Sequence, residues 1–190
     1  MKSLAAIFVA AALTASAAFA AETPSLAQMY DGQLTTAERE IVPLAEALPA
    51  GKYDFAPTNG EFTGVRTFRQ QVTHIATAMY RLSAAAQQVA CPVDMGKEEN
   101  GPANITTKDQ AVQFLKDAFA YAHKAMLATT PENQMAMLKN AFGAGERPRA
   151  SFLTMLLWHN FDHYGQMVEY ARMNGIVPPA SRPRPAAKKR

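Results

Sequence analysis

The feature that most constrains this chain is the spacing of its large apolar residues, which return every third or fourth position through four separate segments and never alternate for long. Leu26, Tyr30, Leu34, Ala37, Ile41, Leu44 and Leu48 form a first stripe. Val65, Phe68, Val72, Ile75, Met79 and Leu82 form a second, running on to about Val89, and Val112, Leu115, Phe119, Ala122 and Met126 a third. The fourth is Phe152, Leu156, His159, His163, Gln166 and Tyr170, and it mixes polar side chains into the core positions. A helix repeats every 3.6 residues and a strand every two, so this spacing predicts amphipathic helices with one apolar face apiece. Each face needs neighbours to cover it, and four helices of roughly twenty residues do that most economically as an all-α, antiparallel-type four-helix bundle.

Local signals mark the ends of these segments. Thr107 with Gln110 has the spacing of a capping box, in which each residue's side chain satisfies the other's backbone N–H. Pro148 suits the first turn of the fourth helix, and Asn174-Gly175 ahead of Pro178-Pro179 suits its end. In the first helix Gly32 and Pro43 predict a weak spot and a bend, and Thr35 with Glu38 offers a restart. Pro49, Gly51, Pro57, Asn59 and Gly60 mark one loop, and a second runs from Cys91-Pro92 to near Ile105. Between Thr130 and Arg147 the pattern is mixed. It reads as a short helical turn over residues 132–139 followed by a loop around Gly143 and Gly145.

Composition narrows the function classes. Hydrophobic residues make up 48% of the 190 and charged residues 18%, which suits a packed domain, and after residue 20 no apolar run is long enough to span a bilayer. A single cysteine, Cys91, excludes an internal disulfide and a multi-cysteine zinc site, and beside Pro92 in a loop it reads as an inert thiol. Lys2, the apolar stretch Leu4 to Leu13 and Ala18-Phe19-Ala20 read as a secretory signal cut after Ala20, which predicts a periplasmic or secreted protein. The expected organisation is therefore a signal over 1–20, a helical bundle over 21–179 and a basic disordered tail over 180–190. The formal net charge of +3 comes from that tail and from Lys2; residues 21–181 hold 13 basic against 16 acidic side chains. A phosphate-binding surface is not expected of such a body, so no nucleic-acid partner is predicted. Dimers are compatible with a bundle of this kind, though no surface stripe demands one.

The fourth segment carries the chemistry. His159 and His163 stand one helical turn apart on one side, close enough for both imidazoles to bind a single ion, and neutral imidazole suits zinc, nickel, copper and iron. Two core histidines without a partner would each leave a polar group unmet at a cost of about 1–3 kcal/mol, so they either hydrogen-bond or hold a metal. Of the remaining histidines, His74 lies on a flank of the second helix beside Thr67, Gln71, Ala78 and Ala85, where the helical wheel lets it face a cavity or solvent. His123 flanks the third stripe and reads as a surface or boundary residue.

His74 in Val72-Thr73-His74-Ile75-Ala76, the run from Leu157 to Gln166 that contains Trp158-His159-Asn160-Phe161-Asp162-His163, and its continuation through Gly175-Ile176-Val177-Pro178-Pro179 resemble the DinB/YfiT superfamily. The loop Leu48 to Pro57 is similar to that family as well, so the resemblance spans about Leu26 to Pro179. It implies a four-helix bundle of up-up-down-down connectivity and one divalent metal held by His74, His159 and His163. Zinc is the first expectation, with nickel or iron as alternatives. It also implies a metal-dependent hydrolase or transferase acting on a small molecule, since relatives include thiol-dependent S-transferases and a mycothiol-dependent maleylpyruvate isomerase. An exported chain departs from those relatives, whose low-molecular-weight thiols are chiefly cytoplasmic.

Around the histidines, Gln166 is placed to orient a ligand, Asp162 to accept a hydrogen bond from a histidine's second nitrogen, and Tyr170 to donate a proton near the cavity. The competing reading is a non-catalytic metal carrier of the cell envelope, or a b-type haem or copper bundle with His/Met ligation. The absence of Cys-x-x-Cys-His excludes covalently attached haem.

Overall fold

The structure, a computed structural model, describes residues 23–183, so the expected signal and residues 184–190 of the basic tail lie outside it. Four helices account for most of it: α1 (Leu26–Ala47), α2 (Phe68–Gln87), α3 (Lys108–Leu127) and α4 (Arg149–Met173). Three of them begin with a complete capping box, Ser25 with Gln28, Thr67 with Gln70 and Thr107 with Gln110. A side-chain cap is worth about 1 kcal/mol, and here the same Ser/Thr-x-x-Gln device is used three times. α1 runs unbroken past Gly32 and Pro43. The Thr35–Glu38 restart is not used, because the Thr35 hydroxyl donates back to the Asp31 carbonyl within the helix.

Residues 132–139 do not form the expected helical turn. Turns lead into β1 (Met137–Lys139), which pairs antiparallel with β2 (Glu146–Pro148) in the register Leu138 with Arg147. The hairpin has a structural task. α4 starts at Arg149, and Pro148 before it supplies no side-chain cap; the N–H groups of Arg149 and Ala150 donate instead to the carbonyls of Ala136 and Gln134, each at 2.9 Å. Those backbone acceptors stand in for the missing cap.

The bundle is all-α at its core, as the periodicity predicts, but its connectivity is up-down-down-up rather than up-up-down-down. α1 and α2 each pack on α3 and α4. The end of α1 meets the starts of α2 and α3: the Tyr53 hydroxyl bonds to the Ala45 carbonyl at 2.5 Å, the Phe68 N–H bonds back to Phe55, and Lys108 Nζ donates to the Glu46 carbonyl. α2 and α3 run side by side in one direction, with Arg69 reaching Thr106 near their starts and Tyr80 stacked on Phe114 further along. α4 starts at the far end, where Arg149 bonds the Ala86 carbonyl, and returns until Tyr170 reaches Arg66. The physical reason is the long segment 88–107, which carries the chain back along the bundle before α3 begins. Its length permits a parallel neighbour that a short turn would forbid.

Leu34, Ile41, Leu44, Phe68, Ile75, Met79, Leu82, Leu115, Phe119, Met126 and Phe152 are all fully buried, each contributing on the order of 1.5–3 kcal/mol. On α4 the buried face is centred to one side of the predicted stripe. It keeps Phe152, Leu156, His163 and Tyr170 of the prediction and extends to one side through Leu153, Asn160, Met167 and Ala171, leaving His159 and Gln166 half-buried at its border. Among the described residues, no helix is long and apolar enough to cross a membrane.

Candidate metal centre

The antiparallel packing of α2 on α4 sets His74 opposite His159 and His163. The ring centroids of His74 lie 5.0 Å from those of His159 and 4.6 Å from those of His163, and the two α4 rings are 4.5 Å apart. One nitrogen from each ring lies within 4.8 Å of the other two. Three imidazoles from two helices thus converge on one point, and this is a donor set that a single ion can share.

Hydrogen bonds decide which nitrogen each ring presents. Glu99 offers its backbone carbonyl to His74 Nδ1 at 2.9 Å, so Nδ1 carries the proton and Nε2 keeps its lone pair. His163 Nδ1 donates to Gln71 Oε1 at 2.6 Å, with the same result. From there the polarity runs outward without a break: Gln71 Nε2 donates to Gln166 Oε1 at 2.8 Å, and Gln166 Nε2 to Asp162 Oδ2 at 3.4 Å. A carboxylate can only accept, so it polarises the whole line toward His163. His159 Nδ1 is buried with no hydrogen-bond partner, an expense that an ion on that ring would offset.

Electrostatics point the same way. Burial lowers the pKa of all three rings from 6.5. It takes His159 to about 4, with the His74 ring and the Arg66 guanidinium adding to it, and His163 to about 3, with His159, His74 and Arg66 adding. His74 is lowered by burial against the opposing pull of the Glu99 carbonyl. Neutral imidazole is the form that binds a metal. The donor set, all nitrogen with no thiolate, suits a borderline divalent ion such as zinc, nickel or iron.

The other residues singled out from sequence divide. Gln166 is the middle of the relay and orients His163 through Gln71. Asp162 does not take a histidine N–H directly: its Oδ2 stands 4.0 Å from His163 Nε2, and it serves as the terminal acceptor of the line. Tyr170 is buried against Phe55 and donates its hydroxyl to the Arg66 carbonyl at 3.1 Å, so its proton is committed to holding the segment before α2. His123 is far from the cluster in role, bridging Asp31 at 2.6 Å and Glu38 at 3.3 Å between α3 and α1. Cys91 is half-buried in its loop.

Sequence reading missed three features of the centre. Gln71 had no signal beyond lying one turn before His74 on the same flank, and the Glu99 carbonyl had none at all. Asn160 was hidden between the two histidines. It is 0% exposed, and neither polar atom of its side chain has a hydrogen-bond partner. Beside the relay, a cavity of about 360 Å³ is walled by Pro57, Phe62, Val65, Tyr170 and Met173, with Gln166 and Glu169 as its polar members.

Comparison with known proteins agrees with this architecture. The sequence model of the DinB superfamily matches residues 33–167. No curated protein matches in sequence. Among solved structures, the crystal structure of a DinB-like protein from Bacillus cereus ATCC 10987 at 2.01 Å resolution is similar, with a TM-score of 0.63 and 18% sequence identity over 79% of this chain and 93% of that one. At that identity the likeness speaks to the fold.

Proposed function

This chain belongs to the DinB superfamily, and on that premise we propose that it is a metal-dependent enzyme of the hydrolase or transferase type, with His74, His159 and His163 holding one divalent ion, zinc first and nickel or iron next. The observation that carries the reading is the convergence of three imidazoles, each with one nitrogen within 4.8 Å of the other two. Three protein ligands leave a coordination position for a substrate, the arrangement of catalytic rather than structural sites. When bound, such an ion supplies Lewis acidity toward a carbonyl, a thiol or a water.

The chain's own residues do the rest. Gln71, Gln166 and Asp162 keep the proton of His163 on Nδ1, and Glu99 does the same for His74. The cavity beside Gln166 has mostly apolar walls, which favours a small molecule with an apolar portion seated against Phe62, Val65 and Met173. The export signal read from the first twenty residues favours an activity in the cell envelope or outside it, and so a cosubstrate other than a cytoplasmic thiol. A haem reading is disfavoured, because haem iron takes at most two axial nitrogens and here three rings face one point.

The test is metal analysis of protein purified from its native compartment, followed by a turnover screen against small amides, esters and thiols. A colourless protein with about one zinc, nickel or iron per chain and turnover of one class that is lost on chelation is the expected result. A Soret band would replace the reading with a haem protein, and a metal-bound protein inert toward all three classes would replace it with a metal carrier.

A further inference from the structure

His74 is oriented by a strap of loop rather than by a neighbouring helix. The strap is the short 3-10 turn Lys97–Glu99 with its flanks, and it is built against backbone preference: Glu98 and Glu99 sit at φ +56° and +60°, two consecutive side-chain-bearing residues in the left-handed region. Each such residue is disfavoured there and persists only where the surroundings over-determine it. Gly96 and Gly101, at φ +62° and +81°, close the strap on itself, and a Cβ at Gly101 would come 2.8 Å from the Thr77 hydroxyl of α2.

Two arginines hold it. Arg66 donates from Nε to the Asn100 side chain and from its terminal nitrogen to the Glu98 carbonyl, both at 2.8 Å. Arg81, two turns along α2 from His74, ion-pairs with the Glu99 carboxylate. The same guanidinium donates to the Ala141 carbonyl at 2.6 Å and stacks on Phe142, 4.0 Å from the ring centre. Arg81 therefore joins three things: the helix that carries His74, the residue whose carbonyl fixes the His74 tautomer, and the β1–β2 hairpin loop.

We infer that Arg81 is a positioning residue of the three-histidine centre, acting through Glu99 to keep His74 as the Nδ1–H tautomer with Nε2 presented to a ligand, and that it couples the hairpin loop to the centre. The direction of the Glu99 carbonyl is set by the backbone angles of Glu99 itself. Releasing the carboxylate lets the residue leave the left-handed region and takes the acceptor away from His74. The consequence for metal affinity rests on the metal-site reading above, whereas the tautomer is a property of the metal-free protein.

The experiment uses the full chain in two arms. In the metal-free, 15N-labelled protein, long-range 1H–15N NMR of the imidazoles reports the His74 tautomer. In the second arm, Co²⁺ titration against a competing chelator reports affinity, and the visible cobalt bands report geometry. Wild type is expected to show His74 protonated at Nδ1. Arg81→Gln is expected to lose that fixed tautomer, to bind Co²⁺ about 10- to 100-fold more weakly and to shift the cobalt bands, the usual range for removing support behind a ligand. Arg81→Lys, which keeps the charge but not the planar fork, should fall between.

Glu99→Gln changes only a half-exposed side chain and carries the test if Arg81→Gln does not fold. Arg149→Gln, which loses a backbone bond at the far end of the bundle, should lower stability and leave both readouts unchanged. The inference is overturned if Arg81→Gln and Glu99→Gln both keep the wild-type tautomer, or if wild type has no fixed His74 tautomer. Wild type that binds no Co²⁺ would sink the metal reading alone, since the NMR arm still decides whether Arg81 positions His74.

Discussion

Two histidine sites in this bundle use the same side chain to opposite ends. At the α2–α4 seam, His74 and His163 spend their Nδ1 protons on neutral acceptors, a backbone carbonyl and an amide, and burial keeps the rings uncharged. At the α1–α3 seam, both nitrogens of His123 face carboxylates, Asp31 and Glu38, on a surface that water reaches. The first arrangement leaves Nε2 of both rings with its lone pair. The second commits both nitrogens to acids and makes a strut between helices. Under the proposed function, what separates a ligand from a strut is the acceptor at the second nitrogen, together with burial, and not the presence of histidine on a helix face.

The largest effect should come from removing a ring. His159→Ala and His163→Ala are each expected to take bound metal from about one ion per chain to near none, while His123→Ala retains it, as elemental analysis after dialysis would show. Equal metal content in all three variants would erase the distinction between the seams.

Removing the support rather than the ring sharpens it. Gln71→Leu leaves the ligands in place but strips His163 Nδ1 of its acceptor, so metal affinity should drop about 10- to 100-fold. The metal-free protein should also lose about 1–3 kcal/mol, from the donor left buried without a partner. Competition titration and urea unfolding read the two effects separately.

Acid provides a third contrast. The three rings of the cluster have folded-state pKa values below 6.5, so the unfolded chain binds the protons first and stability falls as pH drops from about 6.5 toward 4. Each ring contributes up to about 1.4 kcal/mol per pH unit over the range where it is protonated only when unfolded. Chelator-treated protein should follow this slope in denaturant melts, and His163→Gln should flatten it.

The smallest effect belongs to the strut. His123→Ala removes partly exposed pairs and should cost roughly 1 kcal/mol or less, shrinking further in high salt. A large loss there would mean that the α1–α3 seam depends on it more than its exposure suggests.

Much of the fold was legible because it is local. The 3.6-residue recurrence located all four helices, Thr107 with Gln110 marked the start of α3, and Asn174-Gly175 the end of α4. The pair His159 and His163 was equally readable, since one turn of helix is enough to bring two rings together. The hairpin at Met137 to Pro148 was not, because three-residue strands have too few positions to display a period. Nor was the full extent of the buried α4 face, which takes in Asn160 and leaves His159 at its border, since the side of a helix that its neighbours cover is set by how the helices seat against one another.

By itself, then, the sequence determined the number and extent of the helices, their apolar faces, and the two histidines that share one turn, all of which depend on interactions within a few residues. Tertiary structure decided the rest. Segment 88–107 returns the chain so that α3 lies parallel to α2 and α4 antiparallel to it, and only that register puts His74 against His163, Gln71 against Gln166, and the Glu99 carbonyl against His74. These contacts join residues separated by 25 to 95 positions. Their geometry follows from how whole helices pack, which no local spacing encodes.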